Sequence, residues 1–278
     1  MVRRFATTLC PSRRILMKIG GRNLRTITRA PLETRHYIAV WNLLRGTPEP
    51  LQVLARYLSG RGNYPARFSV RTPSGSIAPQ LYSHHDLLTI NEIFFRLDYE
   101  APDDLRVVVD LGSNIGISAL YFLTRNSFAR CHLFEPVPRN IERLKANLVG
   151  YESRYELNEC AVGPESGEFE FGLEPTGRYG GLGVAHSSSI RVRCRSINEV
   201  LGEILEREGF VDVLKIDTEG AEAATLEAIE AKHLKRIGRI LAETENASSH
   251  IAEHFHISRY GPIVRYVNKD VGFRQARS

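Results

Sequence analysis

A chain of 278 residues holds one elaborated domain or two small ones, at about 150 residues per domain, and can bury a core without disulfide or metal staples. With 42% hydrophobic and 25% charged residues, its composition excludes a disordered, collagen-like or integral-membrane chain. The net charge of +5 is unevenly spread: eight basic residues precede Glu33, the first acidic one, and the other 29 face all 32 acidic residues.

The basic start, Arg3, Arg4, Arg13, Arg14, Lys18, Arg22, Arg25 and Arg29, lacks the apolar core of roughly 7–15 residues that a secretory signal needs. Lys18 interrupts Ile15-Leu16-Met17. Its composition resembles a mitochondrial transit peptide, and it equally suits a solvated tail or a contact with acidic lipid headgroups or another acidic ligand. No aromatic interleaving marks it for specific nucleic acid. Cys10, Cys131, Cys160 and Cys194 form no Cys-x-x-Cys pair, so neither a structural zinc nor a disulfide framework is expected. A reducing, cytoplasmic setting follows as the expectation, and a homodimer is compatible with the sequence.

Apolar residues at helical spacing, Ile38, Trp41, Leu44, then Leu51, Leu54 and Leu58, predict a helical lead-in broken by Gly46, Pro48 and Pro50. Residues 61–80, rich in Gly, Pro and Ser, read as a loop or hairpin, and 86–97 as a helix capped by Asp86. A boundary at residue 86 separates a basic helical extension and loop, 1–85, from an α/β domain, 86–278. Strands are expected at 107–111, 132–135, 155–162, 213–217 and 240–243, with helices at 114–121, 139–148 and 221–229 between them. A strand pair at 168–171 and 190–193 flanks a Gly- and Ser-rich loop, 172–189, expected to act as a lid. Alternating strands and helices imply a parallel sheet covered on both faces.

In such sheets ligands bind beyond the carboxyl ends of the strands. The first strand ends in Asp110-Leu111-Gly112-Ser113-Asn114-Ile115-Gly116, an Asp-x-Gly-x-x-x-Gly turn rather than the Gly-x-Gly-x-x-Gly of dinucleotide binders. Asp110 would repel a pyrophosphate, which favours a cationic ligand such as S-adenosylmethionine. Glu135, ending the second strand, suits the two hydroxyls of a ribose.

These segments, with Phe134-Glu135-Pro136-Val137-Pro138, residues 158–163 and above all Leu214-Lys215-Ile216-Asp217-Thr218-Glu219-Gly220-Ala221-Glu222, resemble the FkbM family of S-adenosylmethionine-dependent methyltransferases over about residues 86–245. The resemblance implies a Rossmann-like class I methyltransferase fold, with a mostly parallel seven-stranded sheet. It implies O-methylation of a sugar hydroxyl, in a glycan or glycolipid precursor, or of a polyketide-type acceptor. It places the methionine end of the cofactor near Asp110, Gly112 and Asn114, the ribose on Glu135, and the adenine beside Cys160 and Ala161, while Gly116 lets the helix after the turn approach the cofactor.

Methyl transfer to a hydroxyl needs the acceptor oxygen about 3 Å from the methyl and a base for its proton. Asp217 is the first candidate for positioning or proton acceptance and Glu219 the second. Glu222 sits where a carboxylate also complements a helix dipole. His186, in the lid, is a further candidate base; His84 and His85 are weaker ones. Tyr99 and Glu92 are placed at the cofactor's amino-acid end. Asp217, Glu243 and Glu245 form a candidate Mg²⁺ set, whereas His250, His254 and His256 read as a surface cluster. Two rivals remain at this level: a nicotinamide-dependent oxidoreductase, and a non-catalytic S-adenosylmethionine-binding module docked through its basic end.

Overall fold

The structure, a computed structural model, describes residues 18–19, 22–23, 34–173, 180–182, 188–218 and 220–270. Glu219, His186, Cys10 and most of the expected lid therefore lie outside the described residues.

The lead-in forms α1, Thr34–Gly46, and α2, Pro50–Ser59. Pro50 opens α2 where its missing N–H costs nothing, and Gly60, with φ +67°, closes it by donating to the carbonyl of Arg56. Two short hairpin-like pairings occupy the predicted loop region, 66–67 with 80–81 and 70–72 with 75–77. Helix α3, His84–Ile90, is capped by Ser83 rather than Asp86. Asp86 is the third helical residue, and its carboxylate accepts from the Ser83 N–H while Ser83 Oγ accepts from the Asp86 N–H. Thus the boundary expected at residue 86 falls inside a capped helix. Beyond α3 the chain widens into a π-helical turn, Asn91–Phe95, and breaks at Leu97, whose φ is +57°.

The central sheet contains β1, Val107–Leu111; β2, Arg130–Phe134; β3, Tyr155–Asn158; β8, Val211–Ile216; β9, Ile237–Glu243; β10, Phe255–Tyr260; and β11, Ile263–Asn268. Its order is β10-β11-β9-β8-β1-β2-β3. All neighbours run parallel except β11, which is antiparallel to both β9 and β10. This is the expected mostly parallel seven-stranded sheet of the class I methyltransferase fold. Strand order reverses beside β1, so the carboxyl ends of β1 and β8 flank a crevice.

A second sheet, in the order β4-β7-β5-β6, comprises β4, Ala161–Gly163; β5, Gly167–Leu173; β6, Gly180–Leu182; and β7, Ser188–Ser196. The single strand expected over 155–162 is thus divided. Its first part pairs with β2 and its second with β7. Helices α4, Ile117–Leu123, and α5, Pro138–Asn147, follow β1 and β2. Helix α6, Ile197–Glu208, follows β7, and α7, Glu222–Ala228, follows β8.

Period-two alternation divides the core between the two faces of the sheet. Val108 and Val213 join the cluster containing α4 and the residues of α1, α2 and α3, whereas Val109, Leu111, Leu214 and Ile216 join the cluster containing α6. Helix α1 is therefore part of the domain core through Ala39 and Leu43, and Asn42 Nδ2 donates to the Phe95 carbonyl at 2.8 Å.

Candidate active site

Register alone brings the first pair of charges together. Lys215 is the cross-strand partner of Asp110, and both point to the face carrying Val108 and Val213. Lys215 Nζ lies 3.0 Å from Asp110 Oδ1 and 3.2 Å from Asp217 Oδ2, and it donates to the Gly112 carbonyl at 3.2 Å. Burial disfavours the Lys215 ammonium, but Asp110 and Asp217 outweigh it and raise its pKa above the ordinary lysine value. Ser118 Oγ donates to Asp110 Oδ2 at 2.6 Å. The group carries two carboxylates and one ammonium, so a net negative charge sits at the base of the crevice. Only Asp217, with 27% of its side chain exposed, reaches the open space above.

Asp217 is held from three sides. Lys215 lies below it, and Tyr99 Oη donates to Asp217 Oδ2 at 3.2 Å. Burial, with the negative charges of Asp217 and Glu243, raises Tyr99 well above the ordinary phenol value, which keeps it a donor. The loop after Asp217 is gathered by Glu222, whose carboxylate accepts from the backbone N–H of Thr218 and of Gly220, each at 2.9 Å. Glu222 thus anchors the loop that presents Asp217.

Gly112 has φ +78°, and a Cβ there would stand 1.8 Å from the Asp217 carbonyl oxygen. The glycine lets the ends of β1 and β8 pass at contact distance. Gly112→Ala is expected to cost about 2–3 kcal/mol, from overpacking and the left-handed backbone, read by urea denaturation. Stability within error of the parent would show that the strand ends can part freely.

At the end of β2, Glu135 is 4% exposed. Its Oε2 accepts from the Asn114 N–H at 2.9 Å, and its Oε1 from the Val137 N–H at 3.0 Å and Asn140 Nδ2 at 3.3 Å. Burial pushes its carboxyl up to about 7 despite these donors. The bond to Asn114, whose φ is +48°, ties β2 to the glycine turn after β1.

These elements enclose a cleft of about 1370 Å³, counting its open mouth. Of the sequence-predicted site residues, Gly112, Asn114, Glu135, Ala161 and Asp217 line it, as do Tyr99, Glu92 and Glu243. Asp110, Gly116 and Cys160 stand behind the wall. Asp110 is fully buried under Lys215, and Gly116 caps α4 against Leu144. The buried Cys160 joins the cluster of Ile197 and Leu201, where burial pushes its thiol up. His84 and His85 lie outside the cleft lining.

The expected Mg²⁺ set does not assemble. Among the described residues no three His, Cys, Asp or Glu side chains gather at a metal-binding spacing. Asp217 is already engaged by Lys215, which it shares with Asp110, and Glu245 lies exposed beyond β9, where its carbonyl meets the Arg259 guanidinium. His250 bonds through its ring to the Ile229 carbonyl at 2.8 Å.

Sequence reasoning undervalued two contributors. Glu243, at the end of β9, faces the cleft while remaining open to solvent. The surrounding wall, then the like charges of Asp217 and Glu92, push its carboxyl up to about 7. Pro262 and Ile263, from the unpredicted β10–β11 hairpin, line the same cleft. The hairpin is fastened by Arg265, whose Nη1 reaches Glu100 Oε2 at 3.2 Å, and by Tyr260 Oη, which donates to the Arg96 carbonyl at 3.1 Å.

Comparison with known proteins agrees with this geometry. The chain is 26% identical over 197 residues to the AMB antimetabolite synthetase AmbE of Pseudomonas aeruginosa, covering 56% of this chain but 9% of that much longer protein. It is 25% identical over 179 residues to Methyltransferase 1 of Beauveria bassiana, covering 55% of this chain and 70% of the relative. To the 31-O-demethyl-FK506 methyltransferase FkbM of Streptomyces tacrolimicus it is 23% identical over 221 residues, covering 66% of this chain and 84% of the relative. The methyltransferase FkbM domain profile matches residues 110–274, which extends the relationship past residue 245 through the β10–β11 hairpin. With more than half its length matched to that profile, and with the sheet order and strand-end acids to go with it, the chain belongs to the FkbM methyltransferase family.

Proposed function

We propose that the protein transfers a methyl group from S-adenosylmethionine to a hydroxyl oxygen of a sugar, in a glycan or glycolipid precursor, or of a polyketide-type acceptor. The observation that carries this reading is the charge of the cleft. Six carboxylates, Asp86, Glu92, Asp98, Glu135, Asp217 and Glu243, stand in its lining with one cation, Lys215. Asp98 and Glu92 share Arg96 behind the wall, Glu135 and Glu243 are pushed up to about 7, and Lys215 is divided between Asp110 and Asp217, so the lining is acidic without being six full charges. Such a field attracts a cationic sulfonium and repels the pyrophosphate of a nicotinamide cofactor. The relative named for 31-O-demethyl-FK506 supports an oxygen acceptor.

In this reading Glu135 holds the ribose hydroxyls. Ala161, with its neighbour Val162, walls the base, and Asn114 with the Gly112 turn faces the amino-acid end. Asp110 acts through Lys215 and touches no ligand. When bound, S-adenosylmethionine supplies an electrophilic methyl. Asp217, fixed by Lys215 and Tyr99, orients the acceptor hydroxyl. Glu243, pushed up to about 7, would take its proton as the C–O bond forms and the methyl's bond to sulfur breaks, leaving the neutral thioether, because a base works best when its pKa lies near the working pH.

Glu135→Ala is expected to weaken S-adenosylmethionine binding by about 1–3 kcal/mol through lost charge-assisted hydrogen bonds. An unchanged dissociation constant would remove Glu135 from the ribose site. The acceptor class is tested with methyl-labelled S-adenosylmethionine over fractionated cell extract. Label is expected in a carbohydrate, glycolipid or polyketide fraction, and label confined to protein or nucleic acid would overturn the assignment.

A further inference from the structure

Single exposed apolar side chains are ordinary on a protein surface, whereas a cluster of them is not. Among the described residues eleven large hydrophobic side chains are exposed, and seven of these belong to α1 and α2. On α1 they are Tyr37, Ile38, Val40, Trp41 and Leu44; on α2 they are Leu51 and Leu58. Positions 37, 38, 41, 44 and 45 of α1 follow the spacing of one helical face. Since Ala39 and Leu43 are buried in the core on the other side, α1 is apolar both inward and outward. Trp41 is 56% exposed and carries the Arg45 guanidinium 3.9 Å over its ring. Arg71 Nη1 donates to the Arg45 carbonyl at 3.3 Å, which places a second arginine at the end of α1.

Charge separates along the same line. Residues 1–85 contain 14 basic residues and two acidic ones, Glu33 and Glu49, for a net +12. Residues 86–278 contain 23 basic and 30 acidic residues, for a net −7. Neither α1 nor α2 contains Asp or Glu. A stripe of Trp, Tyr, Ile and Leu edged by arginines matches the boundary between headgroups and acyl chains of an anionic bilayer. The segregated charge draws this end toward the surface and turns the acidic body to water. Residues 34–85, which carry the two helices, hold six basic residues and one acidic one, and two such basic faces repel, which opposes a second copy. No described helix is long and apolar enough to cross a membrane.

We propose that the exposed apolar face of α1 and α2, with its arginine edge, docks this protein on an anionic lipid surface. Through the Asn42 bond to Phe95, α1 is tied to the turn whose Glu92 and Ile93 line the cleft. Docking therefore engages a helix built into the domain rather than the basic start alone.

Trp41 is the chain's only tryptophan, so its emission reports on this face directly. The full chain is mixed with phosphatidylcholine vesicles with and without phosphatidylserine. The expected result is co-sedimentation with the phosphatidylserine vesicles only, weakened by salt, with a blue shift of Trp41 emission. Ile38→Ser/Leu44→Ser is expected to lose binding about tenfold or more at unchanged melting temperature, with Leu51→Ser as an independent variant on α2. The proposal is overturned by absence of vesicle binding, or by full binding of the substituted chains, which would assign the contact to residues 1–33. A concentration-dependent dimer abolished by the same substitutions would equally overturn it, by making the face a subunit interface.

Discussion

Replacing Lys215 with methionine is expected to cost about 3–5 kcal/mol of stability, because it strands the fully buried Asp110 beside Asp217 with no counter-charge. The loss appears in urea denaturation as a lower midpoint. Adding Asp110→Asn to Lys215→Met removes one of the stranded charges, so the double variant is expected to be more stable than Lys215→Met alone. The two substitutions are then strongly non-additive, as residues sharing one ion-pair network must be. A Lys215→Met protein within about 1 kcal/mol of the parent would mean that the two carboxylates need no ammonium between them.

Glu243→Gln is expected to lower kcat/KM for the acceptor by about 10²–10⁴-fold, the range for a lost general base. In the parent, a base titrating near 7 must be deprotonated to act. Activity at saturating S-adenosylmethionine should therefore rise with pH below about 7 and level off above it, and Glu243→Gln should flatten that rise. Asp217→Asn is expected to leave cofactor affinity within a few-fold while lowering turnover about 100-fold through misplacement of the acceptor. It also removes one of the negative charges that raise Glu243, so the acid limb should survive and move to lower pH. A pH profile unchanged by Glu243→Gln would return the proton to another group. Unchanged turnover in Asp217→Asn would remove Asp217 from the acceptor site.

The strand ends were legible in the sequence because apolar runs terminate abruptly at Asp110-Leu111-Gly112, Glu135 and Asp217. Which of these acids would face a ligand was not. Asp110 and Asp217 carry the same local signature, but the pairing of β1 with β8 brings Lys215 over Asp110 and leaves only Asp217 reaching the cleft. That pairing joins residues 105 positions apart, and no local pattern encodes it. The break between β3 and β4 was hidden for the same reason, since each half finds a different partner strand. Other omissions had a signal. Ile197, Val200, Leu201, Ile204 and Leu205 trace the buried face of α6 at plain helical spacing, after the N-cap Ser196. The β10–β11 hairpin alternates Ile263–Asn268 around buried Val264 and Tyr266, yet its partner strand, with His256, Ser258 and Arg259 outward, reads as surface. The capping box Ser83 to Asp86 was likewise readable three residues apart and fixes the start of α3.

The charge arithmetic also gains a location. The lead-in helices and the acidic cleft share one core, because α1 packs in the same cluster as α4. Positive charge is gathered in residues 1–85, and the negative charge of the cleft belongs to strand ends and turns of the later chain. A cation in the cleft and an anion at the lead-in helices are therefore compatible on a single chain.

An acidic cleft at these strand ends should accept a sulfonium and refuse a pyrophosphate. Calorimetric titration of the full chain with S-adenosylmethionine, S-adenosylhomocysteine and NAD tests it most directly. Saturable one-site binding of the first two and none of NAD is the predicted result. Saturation by NAD, with neither S-adenosylmethionine nor S-adenosylhomocysteine bound, would contradict it.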